Sequence, residues 1–129
     1  MKTNQASAVN EKKIGKVALK GFFRITDEWN LTPANQKTLL GDIPNSTYSK
    51  YKKLPDVKLP RDMLERISYI LGIYKALRIL FPTLQQASEW VKKDNAAMPF
   101  NGNSALDYML AGRVTDLADV RRYLDWARG

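Results

Sequence analysis

Apolar residues recur along this chain at intervals of three and four, the spacing that places them on one face of an α-helix. The first row begins after Lys13 and comprises Ile14, Val17, Ala18, Phe22, Ile25 and Trp29. Four basic residues fall outside this row: Lys12, Lys16, Lys20 and Arg24. We therefore expect a first helix with one buried face and a basic solvent side, ending at Asn30.

Two short helices are predicted next, joined by a glycine turn. Thr32 has a side-chain oxygen for the N-cap, and Pro33 suits the first helical position, where no N–H is needed. Gly41 suits the left-handed conformation that often ends a helix. A tight turn over 42–45 leads into a third helix over 46–53. Two short helices around a glycine turn are typical of a helix-turn-helix unit.

The second half of the chain predicts four more helices. The segment 54–60 is bounded by two prolines and is the best candidate for a linker. After it, the longest predicted helix spans 61–81, and its apolar residues cover more than one face, as in a central core helix. The remaining helices are predicted over 84–92, 104–111 and 116–128. No segment alternates with period two, so we expect an all-α fold.

Composition limits the chemistry that this chain can perform. It has 129 residues, 44% of them hydrophobic, which suits one compact domain or two small ones sharing a core. There is no cysteine and no histidine, so the commonest metal ligands and general acid–base groups are missing. We expect no cofactor, no metal site and no enzyme activity. No apolar run approaches the length of a membrane span, and the first ten residues lack the apolar stretch of a signal peptide, so we expect a cytoplasmic protein.

Paired carboxylates could suggest catalysis, and the chain has two such pairs. Asp62 with Glu65 and Asp116 with Asp119 each lie three residues apart. Each pair falls in the first turn of a predicted helix, where acidic side chains stabilise the helix dipole. We interpret both pairs as structural.

Charge is distributed unevenly along the chain. The net charge is +8, and residues 1–60 hold 11 Lys and Arg against 5 Asp and Glu, a net +6. Residues 61–129 hold 10 against 8, a net +2. A basic excess of this size favours a polyanion such as nucleic acid, although a basic surface could also serve solubility alone.

The third predicted helix is the candidate recognition helix, because its amides, hydroxyls and lysines can contact base edges and phosphates. The candidate DNA-binding residues are Asn45, Ser46, Thr47, Ser49, Lys50, Lys52 and Lys53. Tyr48 and Tyr51 are three residues apart, so one or both are expected on the core side, Tyr48 in particular.

The C-terminal third contains Phe-x-Gly-x-Ser-Ala-Leu over 100–106, then Gly112, then Val-x-x-Tyr-Leu over 120–124. This order resembles the toxin-binding domain of the MbcA/ParS/Xre antitoxins of bacterial toxin–antitoxin modules. Further upstream, three short motifs resemble the Xre-type helix-turn-helix that precedes that domain: Trp29-Asn30-Leu31-Thr32, Leu39-Leu40-Gly41 and Ser46-Thr47-Tyr48. The resemblance covers residues 13–128.

The resemblance implies a domain order and a set of partners. It implies an Xre-like DNA-binding domain over 13–59 and a toxin-binding or dimerisation domain over 60–129. The start of the chain is polar and has no helical period, so we expect a flexible arm over 1–12. The implied partners are a RES-domain toxin that consumes NAD or transfers from it, operator DNA, and a second copy of the chain in a larger complex. The candidate toxin-binding residues by resemblance are Arg113, Tyr123, Trp126 and Arg128.

Two alternatives remain open from the sequence. Trp126 could instead pack against the helical bundle as the last helix closes on it. The chain could also be a stand-alone helix-turn-helix regulator, whose C-terminal helices serve only dimerisation or ligand sensing. For either function we expect at least a homodimer, formed through the long helix over 61–81 and its neighbours.

Overall fold

The computed structural model describes residues 2–129, with side chains from Ala6 onward. Within these residues the chain forms seven α-helices: α1 Lys2–Glu28, α2 Pro33–Leu39, α3 Asn45–Lys52, α4 Arg61–Leu80, α5 Leu84–Lys92, α6 Ala105–Met109 and α7 Val114–Arg128. Extended pairing in this part of the chain is limited to an isolated antiparallel bridge between Asp94 and Ser104. The prediction of an all-α fold is confirmed. No described helix has the length and apolarity needed to cross a membrane.

Helix α4 forms the centre of the molecule, as its two-sided apolar pattern predicted. It packs most extensively on α7 and next on α1. Its fully buried residues include Ile67, Ile70, Ile73, Ala76 and Leu77. Helix α1 belongs to the basic N-terminal half of the chain and α7 to the C-terminal half. Since α4 packs against both, the two halves share one hydrophobic core.

Helix α1 begins earlier than the sequence suggested. Residues 2–12 were expected to form a flexible arm without helical period, but the helix starts at Lys2; Met1 lies outside the described residues. Residues 6–14 are exposed, so this first part has no buried face for an apolar pattern to reveal. Alanine, lysine and glutamate have high intrinsic helix propensity and extend the helix without such a face.

The buried face of α1 also differs from the predicted row. Ile14 and Val17 are 56% and 67% exposed. The core side instead contains Leu19 and Phe23, which the predicted row omitted, together with Phe22, Ile25 and Trp29. The predicted row was therefore wrong at its start. Near Ile14 and Val17, α1 packs against the connection over 54–60 and against α4, and neither element buries these two side chains.

The connection between α3 and α4 is packed against α1. Leu59 in this connection is only 2% exposed. Gly15 of α1 permits the contact, because a Cβ at that position would lie 1.7 Å from the carbonyl oxygen of Val57. An ion pair of 3.4 Å between Lys58 and Glu11 lies nearby. The two prolines therefore bound a docked segment that ties α1 to α4.

Candidate functional site

A buried polar network holds α3 against α1 and α2. The side-chain amide of Gln36, 1% exposed, donates to the Thr26 hydroxyl at 2.8 Å and to the Asp27 carboxylate at 2.9 Å. The Tyr48 hydroxyl of α3 donates to the amide oxygen of the same glutamine. Burial, followed by the charge of Asp27, raises the pKa of Tyr48. Gln36 thus joins three helices through one side chain, a role that no periodic pattern in the sequence indicated.

The predicted caps and turn of the helix-turn-helix are confirmed. The Thr32 hydroxyl accepts from the Asn35 backbone N–H at 3.1 Å, and the Asn35 side chain accepts from the Thr32 N–H at 3.2 Å. Pro33 occupies the first turn of α2. Gly41 follows α2 with φ +104°, the left-handed region that glycine tolerates best. The turn therefore fixes where α3 begins relative to α2.

Helix α3 presents a polar side to solvent. Tyr51 is buried and Tyr48 is half-buried against the core, as predicted for Tyr48. The exposed residues on the opposite side form what we call the outer face of α3: Asn45, Ser46, Ser49, Lys50 and Lys53. These five are among the seven residues predicted to contact DNA. The structure therefore brings most of the candidate recognition residues onto one accessible surface.

The other two candidate residues lie off this surface. Thr47 is half-buried on the core side of α3. Lys52 points toward α1, where its ammonium lies 4.6 Å from the centre of the Phe23 ring and 3.9 Å from the Asp27 carboxylate. Lys52 thus has partners within the chain, whereas Lys50 and Lys53 have no acidic partner among the described side chains.

The C-terminal half contains a chain of five aromatic rings, which we call the aromatic cluster: Trp90, Phe100, Tyr108, Tyr123 and Trp126. Phe100 lies at its centre, 1% exposed, with Tyr123 at 5.1 Å and Trp90 and Tyr108 both at 5.8 Å between ring centroids. Phe100 is therefore a core residue, and its position in the sequence motif is explained by packing.

The outer end of the aromatic cluster is open to solvent. Trp126 is 76% exposed, and its ring centroid lies 6.1 Å from that of Tyr123. Met98, from the loop before α6, is 71% exposed. Together they border a concavity of about 690 Å³, which we call the Trp126 groove, lined by Ala97, Met98, Pro99, Asp119, Arg122, Tyr123 and Trp126. The alternative in which Trp126 packs into the bundle is therefore excluded.

The charged side chains that line this groove neutralise each other. Arg122 donates to Asp119 at 3.2 Å, and the Tyr108 hydroxyl donates to the other oxygen of the same carboxylate at 2.6 Å. The hydrogen bond to Asp119, followed by burial, raises the pKa of Tyr108 to about 12. The groove therefore presents an apolar surface with a fixed, charge-balanced edge.

The four predicted toxin-binding residues do not form one cluster. Arg113 precedes α7 at the end opposite Trp126, where its guanidinium binds the buried Asp116 at 2.9 Å. Arg128 lies 3.6 Å from Asp125 and turns away from the groove. Only Tyr123 and Trp126 line the groove, and Met98 and Arg122 were not predicted. Arg122 could have been found, because it lies four residues before Trp126 on α7.

Comparison with known proteins agrees with both halves of this arrangement. Residues 10–72 match the family of antitoxin Xre-like helix-turn-helix domains. Residues 76–129 match the family of antitoxin Xre/MbcA/ParS C-terminal toxin-binding domains. The two matches meet within α4, whereas the sequence placed a domain boundary at residue 60; the domain limits remain a prediction.

A relative with high identity covers most of the chain. The uncharacterized protein y4oB of Sinorhizobium fredii is 50% identical over 111 residues, which span 86% of this chain and 84% of that protein. The paired domains support an antitoxin role in a toxin–antitoxin system. The chain belongs to the Xre-type antitoxins, with an N-terminal helix-turn-helix domain and a C-terminal toxin-binding domain.

Proposed function

We propose that this antitoxin neutralises its cognate toxin by inserting Trp126 and Met98 into an apolar recess of the toxin. The observation that carries the proposal is the exposure of these two side chains, 76% and 71%, at the open end of the aromatic cluster. Tryptophan is enriched among the residues that dominate interface energetics, and exposed apolar patches commonly mark binding sites. Tyr123 supports Trp126 from behind, which reduces the entropy lost on binding.

The proposed toxin is a RES-domain protein that acts on NAD. The support for this class is the resemblance of the motifs over 100–106 and 120–124 to antitoxins of such toxins. Arg113 and Arg128 remain proposed as secondary contacts, at the two ends of α7. Each of these arginines already has a carboxylate partner within the chain. We therefore expect their substitution to reduce toxin affinity less than substitution of Trp126 does.

We further propose that the antitoxin represses its own operon through the outer face of α3. The amide and hydroxyl groups at the start of α3 are suited to base edges, and Lys50 and Lys53 to phosphates. Thr47 and Lys52 remain proposed contacts, but both would have to move to reach DNA. Cytoplasmic action follows from this proposal, since the operator is in that compartment.

A homodimer is proposed, because one helix-turn-helix covers few base pairs and two half-sites one DNA turn apart raise affinity. Leu71 of α4 is 40% exposed, and a Cβ on Gly21 of α1 would lie 3.2 Å from it. The exposed Ile14 and Val17 lie on the same side of α1 as Gly21. This apolar face supports pairing of two copies through α1 and α4.

The decisive experiment co-expresses the antitoxin with the product of the adjacent gene and measures growth, cellular NAD and co-purification. Trp126→Ala is compared with Ile79→Ala, which shortens another exposed apolar side chain, 58% exposed, at the end of α4. We expect the first variant to lose rescue and the second to retain it. Equal rescue by both variants would overturn the role of Trp126. Rescue without any effect of the toxin on NAD would overturn only the RES assignment.

Truncation before α7 is a weaker test than point substitution. Leu117, Val120 and Leu124 of α7 are each no more than 1% exposed and belong to the shared core. Removing them would unfold the protein, so loss of rescue would carry no information about the toxin contact. A stand-alone regulator is the alternative, and it predicts operator binding by the purified protein with no co-purifying toxin.

A further inference from the structure

Three lysines form a row along α1, at a spacing of four residues: Lys12, Lys16 and Lys20. Each step of four residues advances about 6 Å along the helix axis and rotates the side-chain direction by about 40° around it. The three side chains therefore lie on one side of the helix, along a line that is slightly inclined to the axis. All three are exposed. We call them the lysine row.

The lysine row leads toward the recognition helix. Asp27 lies seven residues after Lys20, two helical turns further along the same side of α1. That side of α1 is where α3 packs, since Lys52 lies 3.9 Å from the Asp27 carboxylate and the Tyr48 ring lies 5.9 Å from the Phe23 ring between centroids. The row therefore lies on the side of α1 where α3 packs, and Lys20 lies two helical turns before Asp27, the residue that Lys52 of α3 contacts.

The charge of the lysine row is not neutralised by neighbouring acids. None of the three ammonium groups forms an ion pair among the described side chains. The nearby Glu11 is paired with Lys58, on the side of α1 that faces the 54–60 connection. In contrast, Arg121, Arg122 and Arg128 of α7 are each paired with an aspartate.

A row of like charges is slightly unfavourable in an isolated helix, because side chains four residues apart are neighbours on the helix surface and repel each other. An external anion with regularly spaced charges would remove this repulsion. Ammonium groups on flexible stems suit phosphates, which need charge without fixed geometry, better than base edges. A repeating polyanion is thus the partner that fits this surface.

We propose that the lysine row binds the phosphate backbone of duplex DNA next to the site contacted by α3. The inference rests on the proposed DNA binding of α3 and adds a second contact element from α1. It assigns the row a sequence-independent role: it lengthens the protected stretch of DNA and raises affinity for operator and unrelated sequence alike.

The test compares two triple variants of the full-length antitoxin that remove the same charge. K12A/K16A/K20A removes the row, and K75A/R78A/K93A removes three exposed basic residues from α4 and the end of α5. Binding to a duplex from the protein's own promoter and to a scrambled duplex is measured by fluorescence anisotropy across a series of salt concentrations. Alanine preserves helix propensity, and circular dichroism verifies the helix content of each variant.

We expect the slope of log affinity against log salt to fall by roughly 3 units for the row variant, about 0.9 for each phosphate that the protein no longer neutralises. The fall should be similar on both duplexes, and the protected stretch of promoter should shorten. The control variant should change the slope by less than one unit. If the row variant loses helix content, K12Q/K16Q/K20Q replaces it.

Other outcomes separate this inference from the proposed function. If both triple variants bind with the same slope while K50A/K53A binds less, the row does not contact DNA and the proposal for α1 is overturned. If the unmodified protein does not bind its promoter, the proposed repressor function fails as well. If the row variant keeps its DNA affinity but no longer co-purifies with toxin, the surface belongs to a protein partner.

Discussion

The two candidate binding surfaces of this antitoxin, the outer face of α3 and the Trp126 groove, have opposite polarity and charge. The outer face of α3 is polar and basic, and its Lys50 and Lys53 have no acidic partner among the described side chains. The Trp126 groove is mainly apolar, and its arginine, Arg122, is paired with Asp119. One core supports both surfaces, because α4 packs against α1 on one side and α7 on the other.

This contrast teaches how one small protein can present two chemically different surfaces to two partners. Binding through unpaired lysines is driven by counterion release and weakens steeply with salt. Binding through a supported tryptophan is driven by apolar burial, which salt affects little. We therefore expect salt to separate the two activities.

The largest effect is expected at the Trp126 groove. Replacing Trp126 and Met98 together by alanine should weaken toxin binding by about 2–4 kcal/mol, because both apolar anchors are removed. Isothermal titration calorimetry should find a similar loss of toxin affinity at low and at high salt. The affinity of the variant for promoter DNA should be unchanged. A loss that disappears at high salt would show that the groove acts through charge, and the contrast would fail.

The next largest effect is expected inside the helix-turn-helix. Gln36→Ala removes the hydrogen bonds to Thr26, Asp27 and Tyr48, and should lower the free energy of unfolding by about 2–3 kcal/mol. The exposed Gln86→Ala of α5 is the matched control, with an expected change below about 0.5 kcal/mol. Chemical denaturation measures both. Equal stability of the two variants would show that the network does not hold α3.

A smaller effect is expected on the outer face of α3. K50A/K53A should reduce the salt slope of promoter binding by roughly 2 units, because two ammonium groups no longer neutralise phosphates. Lys52→Ala should change it less, since that ammonium lies against Phe23 and Asp27. Toxin affinity should be unaffected. An unchanged slope in the double variant would mean that α3 is not the recognition helix.

The smallest effect concerns pH at the edge of the Trp126 groove. The hydrogen bond to Asp119 raises the pKa of Tyr108 from 10.0 to about 12 in the folded protein. A raised pKa means that folding favours the protonated hydroxyl, so its contribution is complete below pH 10 and disappears as pH rises through 12. Tyr108→Phe should cost about 1 kcal/mol at neutral pH. The difference in ultraviolet absorbance between the two proteins should titrate near pH 12, and titration near pH 10 would contradict the hydrogen bond.

Helix content and order were determined by the sequence. Pro33 and Gly41 act through backbone geometry alone, which requires no distant partner, so the helix ends near them could be predicted closely. The family could be identified for a similar reason, since its motifs over 100–106 and 120–124 are local in the chain. The start of α1 was missed because a fully exposed helix has no apolar period.

Only the tertiary structure decided which side chains remain accessible. Ile14 and Val17 fit the helical period of the core but are exposed, because none of the helices among the described residues covers them. Arg113 and Arg128 lie close to the motif in sequence but do not line the Trp126 groove, because Arg113 lies before the start of α7 and Arg128 pairs with Asp125 on another side of the helix. Periodicity specifies a face, whereas exposure depends on which elements pack against that face, and those elements come from residues distant in the chain.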